Sequence, residues 1–259
     1  MQALINIGIK AAREAGNFMM RASKRLDLIT IAEKEQNDYV TNIDKTAEQL
    51  IIDIIYAHYP DHGIIAEERG MQRQEHDVVW IIDPLDGTKN FIHGIPHYAI
   101  SIGIQYQHQL VGAVIYDPCK EELFTAERGR GARLNDIRIR VSQRATLADS
   151  LIATALPFKM RQRLNEQLQL IHSIFPQVSD LRRTGAACLD LAYVAAGRLD
   201  GYWEMGLAPW DMAAGILLIR EAGGLIVDFK GGENYFTTGD IVAANPRLLK
   251  QLIKLIAAN

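Results

Sequence analysis

The sequence predicts a mixed-sheet protein in two parts: an α+β N-terminal half (residues 1–145) and an α/β C-terminal half (residues 146–259). Three observations predict it. Short apolar runs crowd the middle of the first half, separated by "QHQ" and "PCKEE", as in an antiparallel meander. From about residue 150 strand and helix patterns alternate, the rhythm of sheets covered by helices. The chain has 259 residues, 48% of them hydrophobic, which suits one large domain or two modest ones.

The elements follow in order. Residues 2–23, rich in Ala and Ile, read as a helix. Over 43–58, Ile43, Ala47, Leu50, Ile51, Ile54 and Ile55 recur at helical spacing, with Asn42 as the N-cap and Pro60 as the stop. Asp44 then falls in the first turn, where a carboxylate suits the positive end of the helix dipole. "GIIAEE" and "VVWIID" are apolar runs that each end in acid. "YAISIGIQY", "LVGAVIYD" and "LFTAERG" form the meander, and 137–141 is a further strand candidate. A strand at 150–156 leads to a helix at 160–174, then "VSDLRR" and a small-residue helix near 186–196. "LDGYWEM" precedes a helix at 209–222, and "GLIVDF", "DIVAAN" and a helix at 246–258 close the pattern.

Bulk properties exclude several classes. A net charge of −3 makes the whole molecule no magnet for nucleic acid or anionic lipid. Cys119 and Cys188 stand far apart, without metal-ligand spacing, which argues against a disulfide framework or a thiolate zinc site and fits a reducing compartment. No signal-peptide pattern occurs, and no apolar run approaches the roughly 20 residues of a membrane span. A soluble, cytoplasmic protein with no membrane partner is expected.

The stretch "WIIDPLDGTKNF" holds the chemistry. Pro84 pushes Asp83 into extended geometry, so Asp83 should end the strand, and the Pro84-Leu85 turn brings Asp86 back to the same side. Gly87 permits close backbone approach to a ligand. A helix starting near Thr88 would aim free N–H groups at the same point. Two carboxylates beside backbone amides suit a metal–phosphate complex, and hard oxygen donors favour Mg²⁺ over zinc. Alone, such a pair also reads as a turn with Asp caps. Glu67 and Glu68 at the end of the preceding run, and Asp211 in "PWDMAAG", strengthen the metal reading.

"DYVTNID", "GIIAEE", "WIIDPLDGTKNF", "RRTGAACLDLAYVAAGRLDGYWEMGLAPWDMAAG" and "EAGG" together resemble the successive motifs of the inositol monophosphatase family, in its bacterial inositol-1-monophosphatase branch. The resemblance runs from about residue 4 to residue 250 and implies a layered αβαβα sandwich, usually a homodimer. It implies Glu67, Asp83, the Leu85 carbonyl, Asp86 and Asp211 as ligands of two or three Mg²⁺ ions, with Asp83 bridging two. It implies that Gly87 and Thr88 offer amides to the phosphate, that Asp44 orients the Thr88 hydroxyl, and that Thr88 and Glu67 position the attacking water. The resemblance also implies that Leu85, Asp86 and Asp211 border the substrate. Arg182, Gly185-Ala186-Ala187 and Glu204 fall where the family holds the polyol.

The implied activity is Mg²⁺-dependent hydrolysis of myo-inositol 1-phosphate and related small polyol or nucleoside monophosphates, with lithium sensitivity. No CxxxxxR phosphatase loop and no GxxxxGK[ST] phosphate loop offers another route. A 3′-phosphoadenosine or sugar-bisphosphate phosphatase is the enzymatic alternative. Some bacterial relatives join transcription antitermination complexes, so binding of antitermination proteins or RNA is a second kind of role.

Lys89 departs from the family pattern, which more often has Thr or Ser there. "DGTK" is similar to the related phosphoadenosine phosphatases, yet Asn90-Phe91 is the inositol-type continuation. Lys89 either holds a second anionic group of the substrate or points into solvent, and solvent is the expectation. Glu68, Arg69 and the run Arg128, Arg130, Arg133, Arg138 and Arg140 read as solvated, the run lacking interleaved aromatics for base stacking. His62, His93 and His97 read as structural, and Cys188 and Trp210 as packing.

Overall fold

A computed structural model describes residues 1–35, 38–72 and 76–258. The chain opens with helix α1 (Gln2–Ala22), a hairpin of β1 (Ile31–Glu35) and β2 (Asp38–Thr41), and helix α2 (Asn42–His58). Then come β3 (Gly63–Ala66), β4 (Gly70–Gln72), β5 (Val78–Asp86) and the single turn α3 (Thr88–Ile92). The meander is β6 (Ala99–Tyr106), β7 (Gln109–Asp117), β8 (Glu122–Glu127), β9 (Gly131–Leu134) and the short β10 (Ile137–Arg138). The second part runs β11 (Leu151–Thr154), α4 (Leu164–Ile174), β12 (Asp180–Arg182), α5 (Ala187–Ala195), β13 (Gly201–Glu204), α6 (Pro209–Glu221), β14 (Leu225–Val227), α7 (Tyr235–Thr238), β15 (Ile241–Ala244) and α8 (Pro246–Ile256).

Among the described residues these strands form two large mixed sheets beside the hairpin. The first has the order β10-β9-β8-β7-β6-β5-β3-β4, antiparallel except for the parallel pair β3–β5. The second has the order β12-β11-β13-β15-β14, parallel on the β12-β11-β13 side and antiparallel on the other. The sheets divide between β10 and β11.

Strand periodicity builds the layers. Ile100, Ile102 and Ile104 on β6 join Trp80 and Ile82 on β5 in a core with α1 and α2. Ala11, Ala12 and Ala15 are fully buried there, so α1 lies close to the sheet. The opposite face carries small residues. A Cβ on Gly103 would stand 2.8 Å from that of Ala213, so α6 lies flush against β6. Helices α5 and α6 share one core with both sheets: Ala113 and Ile115 on one side, Ala153, Tyr202 and Ala243 on the other. Residues Met212 to Ile219 of α6 are buried without interruption, as expected of a helix covered on every side. The alternate residues Ile152, Trp203 and Val242 face outward and pack under α4 and α8. The result is the expected αβαβα sandwich.

Three local expectations need correction. The N-cap of α2 is Thr41, not Asn42. Thr41 is extended (φ −116°, ψ 166°) and its Oγ1 accepts the N–H groups of Ile43 (3.0 Å) and Asp44 (3.4 Å). Asn42 instead accepts the Thr30 N–H. Strand β5 does not end at Asp83: pairing with β6 resumes at Asp86 after a bulge, because Pro84 has no N–H for the ladder. The segment 137–141 contributes only the two residues of β10.

Candidate active site

Because β3 and β5 run parallel, their carboxyl ends open on the same edge, the usual place for a ligand crevice in such sheets. Glu67 follows β3, and its N–H donates to the Ile82 carbonyl (3.2 Å). Asp83 and Asp86 flank the bulge of β5, where the Leu85 N–H donates to Asp83 Oδ1 (3.0 Å). Asp211 lies in the first turn of α6 and accepts the Ala208 N–H (2.7 Å), while Ser101 Oγ donates to the Trp210 carbonyl and ties that turn to β6. Helix α5 arrives from the second part and its Cys188 N–H donates to Asp86 Oδ2 (2.6 Å). Glu67, Asp83, Asp86 and Asp211 thus border one cleft, together with Leu85, Gly87, Thr88, Gly185, Ala186, Ala187 and Glu204.

Asp44 stands behind Thr88. Its Oδ2 accepts the Thr41 N–H (2.8 Å) and hydroxyl (2.5 Å), and its Oδ1 lies 3.0 Å from Thr88 Oγ1. The Leu85 carbonyl lies equally close to that hydroxyl. Two acceptors for one proton leave the Thr88 oxygen as the acceptor for whatever donor enters the cleft. Gly87 has φ +92°, and a Cβ there would meet the His97 carbonyl at 3.0 Å, so this turn requires glycine.

The electrostatics are those of crowded acids. Burial, then the charges of Glu67, Asp86 and Asp211, push Asp83 well above the carboxylate range. Burial raises Asp86 to about 6, and burial with the Asp86 and Glu67 charges raises Asp211 to about 7. Burial also raises Asp44, against the lowering effect of its Thr41 bonds. Among the described residues no three of His, Cys, Asp and Glu are gathered closely enough to hold a metal ion as they stand. The donor chemistry nonetheless fits one: these are hard oxygens, and after burial the groups that raise Asp83 are all carboxylates. A bound divalent cation would relieve that repulsion.

Other expected residues fall elsewhere. Arg182 pairs with Asp180 on β12, is exposed, and lies outside the cleft lining; its neighbour Arg183 borders the cleft. Lys89 is not turned to bulk solvent. It is half-buried at the cleft, its Nζ 3.8 Å from the centre of the Phe158 ring, because the stretch after β11 passes over it. His62 accepts the Trp80 indole N–H (3.0 Å) and stacks on Tyr59, His93 is exposed, and His97 packs on Tyr193. The five arginines between 128 and 140 are exposed. Arg69 is exposed beside the buried Glu48, whose Oε2 accepts the Glu68 N–H.

Residues without a sequence signal complete the walls. Asn90 donates to the His97 carbonyl (2.8 Å) and the Thr184 carbonyl (3.0 Å), stapling the two parts together. Asp190 accepts the Thr184 hydroxyl (2.8 Å), and burial lifts it to about 8. Burial likewise lifts Glu204 to about 8, beside the Tyr202 hydroxyl that donates to it. Gln167 donates to Thr154 Oγ1 and the Ala155 carbonyl and so anchors the stretch 155–160. The sequence placed Asn90 within a motif but left its partners unread, since they are backbone atoms of distant loops.

A layered sandwich with carboxylates converging where parallel strands end defines a phosphatase-fold protein. The chain belongs to the inositol monophosphatase family, whose match covers residues 1–259. It is 50% identical over 254 residues to the Nus factor SuhB of Escherichia coli K12, covering 98% of this chain and 95% of that one. The extragenic suppressor protein suhB of Bartonella henselae superposes with a TM-score of 0.95 at 42% identity, over 98% of each chain. The inositol monophosphatase of Anabaena (Nostoc) sp. PCC 7120 gives 0.89 at 34%, over 99% of this chain and 96% of that one. Kinship with inositol monophosphatases supports phosphatase activity in general. Among the described residues no helix is long and apolar enough to cross a membrane.

Proposed function

We propose that the protein is a Mg²⁺-dependent phosphomonoesterase acting on myo-inositol 1-phosphate and related small polyol or nucleoside monophosphates. The convergence of Glu67, Asp83, Asp86 and Asp211 on one cleft, beside the Thr88–Asp44 contact, carries this reading. Glu67, Asp83, the Leu85 carbonyl, Asp86 and Asp211 would hold the metal. Magnesium, two or three ions per site, supplies charge neutralisation and water activation when bound. Thr88 Oγ1, its proton directed to Asp44, accepts a hydrogen bond from the attacking water, and Glu67, at the end of the neighbouring parallel strand β3, orients that water. The Gly87 and Thr88 amides face the phosphate, while Gly185, Ala186, Ala187 and Glu204 border the polyol. The hydroxyl of Thr88 already lies 3.0 Å from both Asp44 and the Leu85 carbonyl, an arrangement that limits reorganisation during attack.

The test is phosphate release from a panel of monophosphates with and without Mg²⁺ and Li⁺. Mg²⁺-dependent release that Li⁺ suppresses is expected; release indifferent to Mg²⁺ would overturn the reading. Homodimerisation and a cytoplasmic location belong to the same proposal, and light scattering on the purified protein checks the dimer.

The 50% identity to a relative named as a Nus factor favours a second role, contact with antitermination proteins or RNA. Asp83→Asn separates the two. A variant without turnover that still restores the deletion phenotype assigns the cellular task to binding, and one that fails to restore it assigns the task to hydrolysis.

A further inference from the structure

The roof of the cleft belongs to no helix or strand. Residues 155–160 leave β11 and pass over it, with Leu156, Phe158 and Met160 among the lining. The backbone bonds of this strap are local turns. The Phe158 N–H donates to the Leu156 carbonyl (2.8 Å), that of Met160 to Pro157 (3.1 Å) and that of Arg163 to Met160 (2.8 Å). Turns of this kind fix the shape of the strap and leave its height above the acids to side chains. At the near end Gln167 donates to Thr154 Oγ1 (2.8 Å) and the Ala155 carbonyl (2.7 Å). At the far end Arg163 closes on Asp240, Nη1 to Oδ1 at 2.6 Å and Nη2 to Oδ2 at 2.9 Å.

Asp240 also accepts the Gly206 N–H (3.2 Å), and the next N–H, of Leu207, donates to the Gly239 carbonyl (2.9 Å). Gly206 and Leu207 lie between Glu204, at the end of β13, and the start of α6, which carries Asp211. Met160 rests on the same turn, since a Cβ on Gly206 would collide with its sulfur. One carboxylate therefore joins the roof to the loop that leads to the floor. Exposed ion pairs contribute little, but this one is forked on both sides and its side chains are only 19% and 15% exposed. Fork geometry fixes orientation as well as distance.

We propose that Arg163 and Asp240 are positioning residues whose ion pair holds the strap at working height over the polyol side of the cleft. The proposal rests on the phosphomonoesterase reading of that cleft. Neither residue borders the cleft itself, so both act through Phe158 and Met160, which do. Released from Asp240, the strap samples other positions, and each binding event has to order it again. Apparent affinity then falls by the fraction of time the strap spends in place. The strap faces the polyol and not the Thr88–Asp44 contact that orients the water, so the loss falls on KM and spares kcat.

The test is steady-state hydrolysis of myo-inositol 1-phosphate with Mg²⁺ by wild type, Arg163→Met, Asp240→Asn and the double variant. Asp240→Asn keeps an acceptor for Gly206 and removes the charge that Arg163 meets. Each single change should raise KM by about fivefold or more with kcat within about twofold of wild type. The double variant should raise KM no further than the larger single effect, since both changes remove the same pair. Unchanged KM in both single variants, a loss confined to kcat, or KM increases that multiply in the double variant overturns the proposal. If one single variant fails to fold, the other decides by its split between KM and kcat. If wild type hydrolyses no monophosphate, the phosphatase reading falls instead, and the clasp is judged by trypsin at a temperature where wild type and variants stay folded. Cleavage after Lys159 or Arg161, followed by mass spectrometry, should then run about fivefold or more faster in each variant than in wild type. Equal cleavage rates refute the clasp.

Discussion

Thr88 touches two acceptors at 3.0 Å, and that contact makes it the most exposed single point of the proposed chemistry. Thr88→Ala is expected to lower kcat by about 10²-fold or more, in the range typical of a positioned donor or acceptor, with KM changing less. Equal kcat in steady-state assays would remove Thr88 from the mechanism. Asp86 near 6 and Asp211 near 7 bear on stability as well. Their folded pKa values lie above the unfolded value, so the folded protein retains protons that the unfolded chain releases. In EDTA their contribution is therefore greatest at low pH and is lost as pH rises through about 7. Tm in EDTA should fall between pH 5 and 7.5, and Mg²⁺ should flatten that slope; a slope indifferent to Mg²⁺ would contradict cation binding at these acids. At this scale the chain announced its acids, because carboxylates ending apolar runs need partners. It did not announce which of Arg182 and Arg183 borders the cleft, since where β12 ends, at Arg182, and the loop begins depends on its pairing with β11.

Helix caps and strand bulges place these side chains. Thr41 caps α2 and bonds Asp44, so one residue both starts a helix and orients a site acid. Thr41→Ala should cost about 0.5–2 kcal/mol by denaturant unfolding and also slow turnover, because Asp44 loses the hydroxyl bond. Loss of stability with full activity would uncouple cap from site. Gly103 does similar work for α6. A valine there would drive side-chain atoms into Ala213, since even the new β-carbon would sit only 2.8 Å from the alanine Cβ. Overpacking of this kind costs about 1–3 kcal/mol and should shift Asp211 with its helix, seen as weaker Mg²⁺ binding in titrations of the variant. Hydrophobic spacing disclosed the helices well, since 3.6-residue repetition survives in α2 and α8. The bulge after Asp83 was half disclosed: Pro84 marks a break, but resumed pairing at Asp86 needs the neighbouring strand.

For the molecule as a whole, the two sheets meet through one buried layer, α5 and α6, that neither possesses alone. A fragment of residues 1–145 would leave the α6-facing surface of its sheet uncovered, including Ala113, Ile115 and Phe124. It is expected to be unfolded or aggregated by circular dichroism and size-exclusion chromatography; a monomeric, cooperatively melting fragment would contradict the shared core. The motifs in order disclosed the layered architecture, yet the stretch 155–160 over the cleft was invisible, because Phe158 and Lys159 belong to no periodic pattern. The Asn90 staple has a last consequence. One amide grips carbonyls from both walls, at His97 and Thr184, while the walls also share their interior. Parting the walls would break both bonds and expose the shared interior, so entry to the crevice depends first on fit at its mouth.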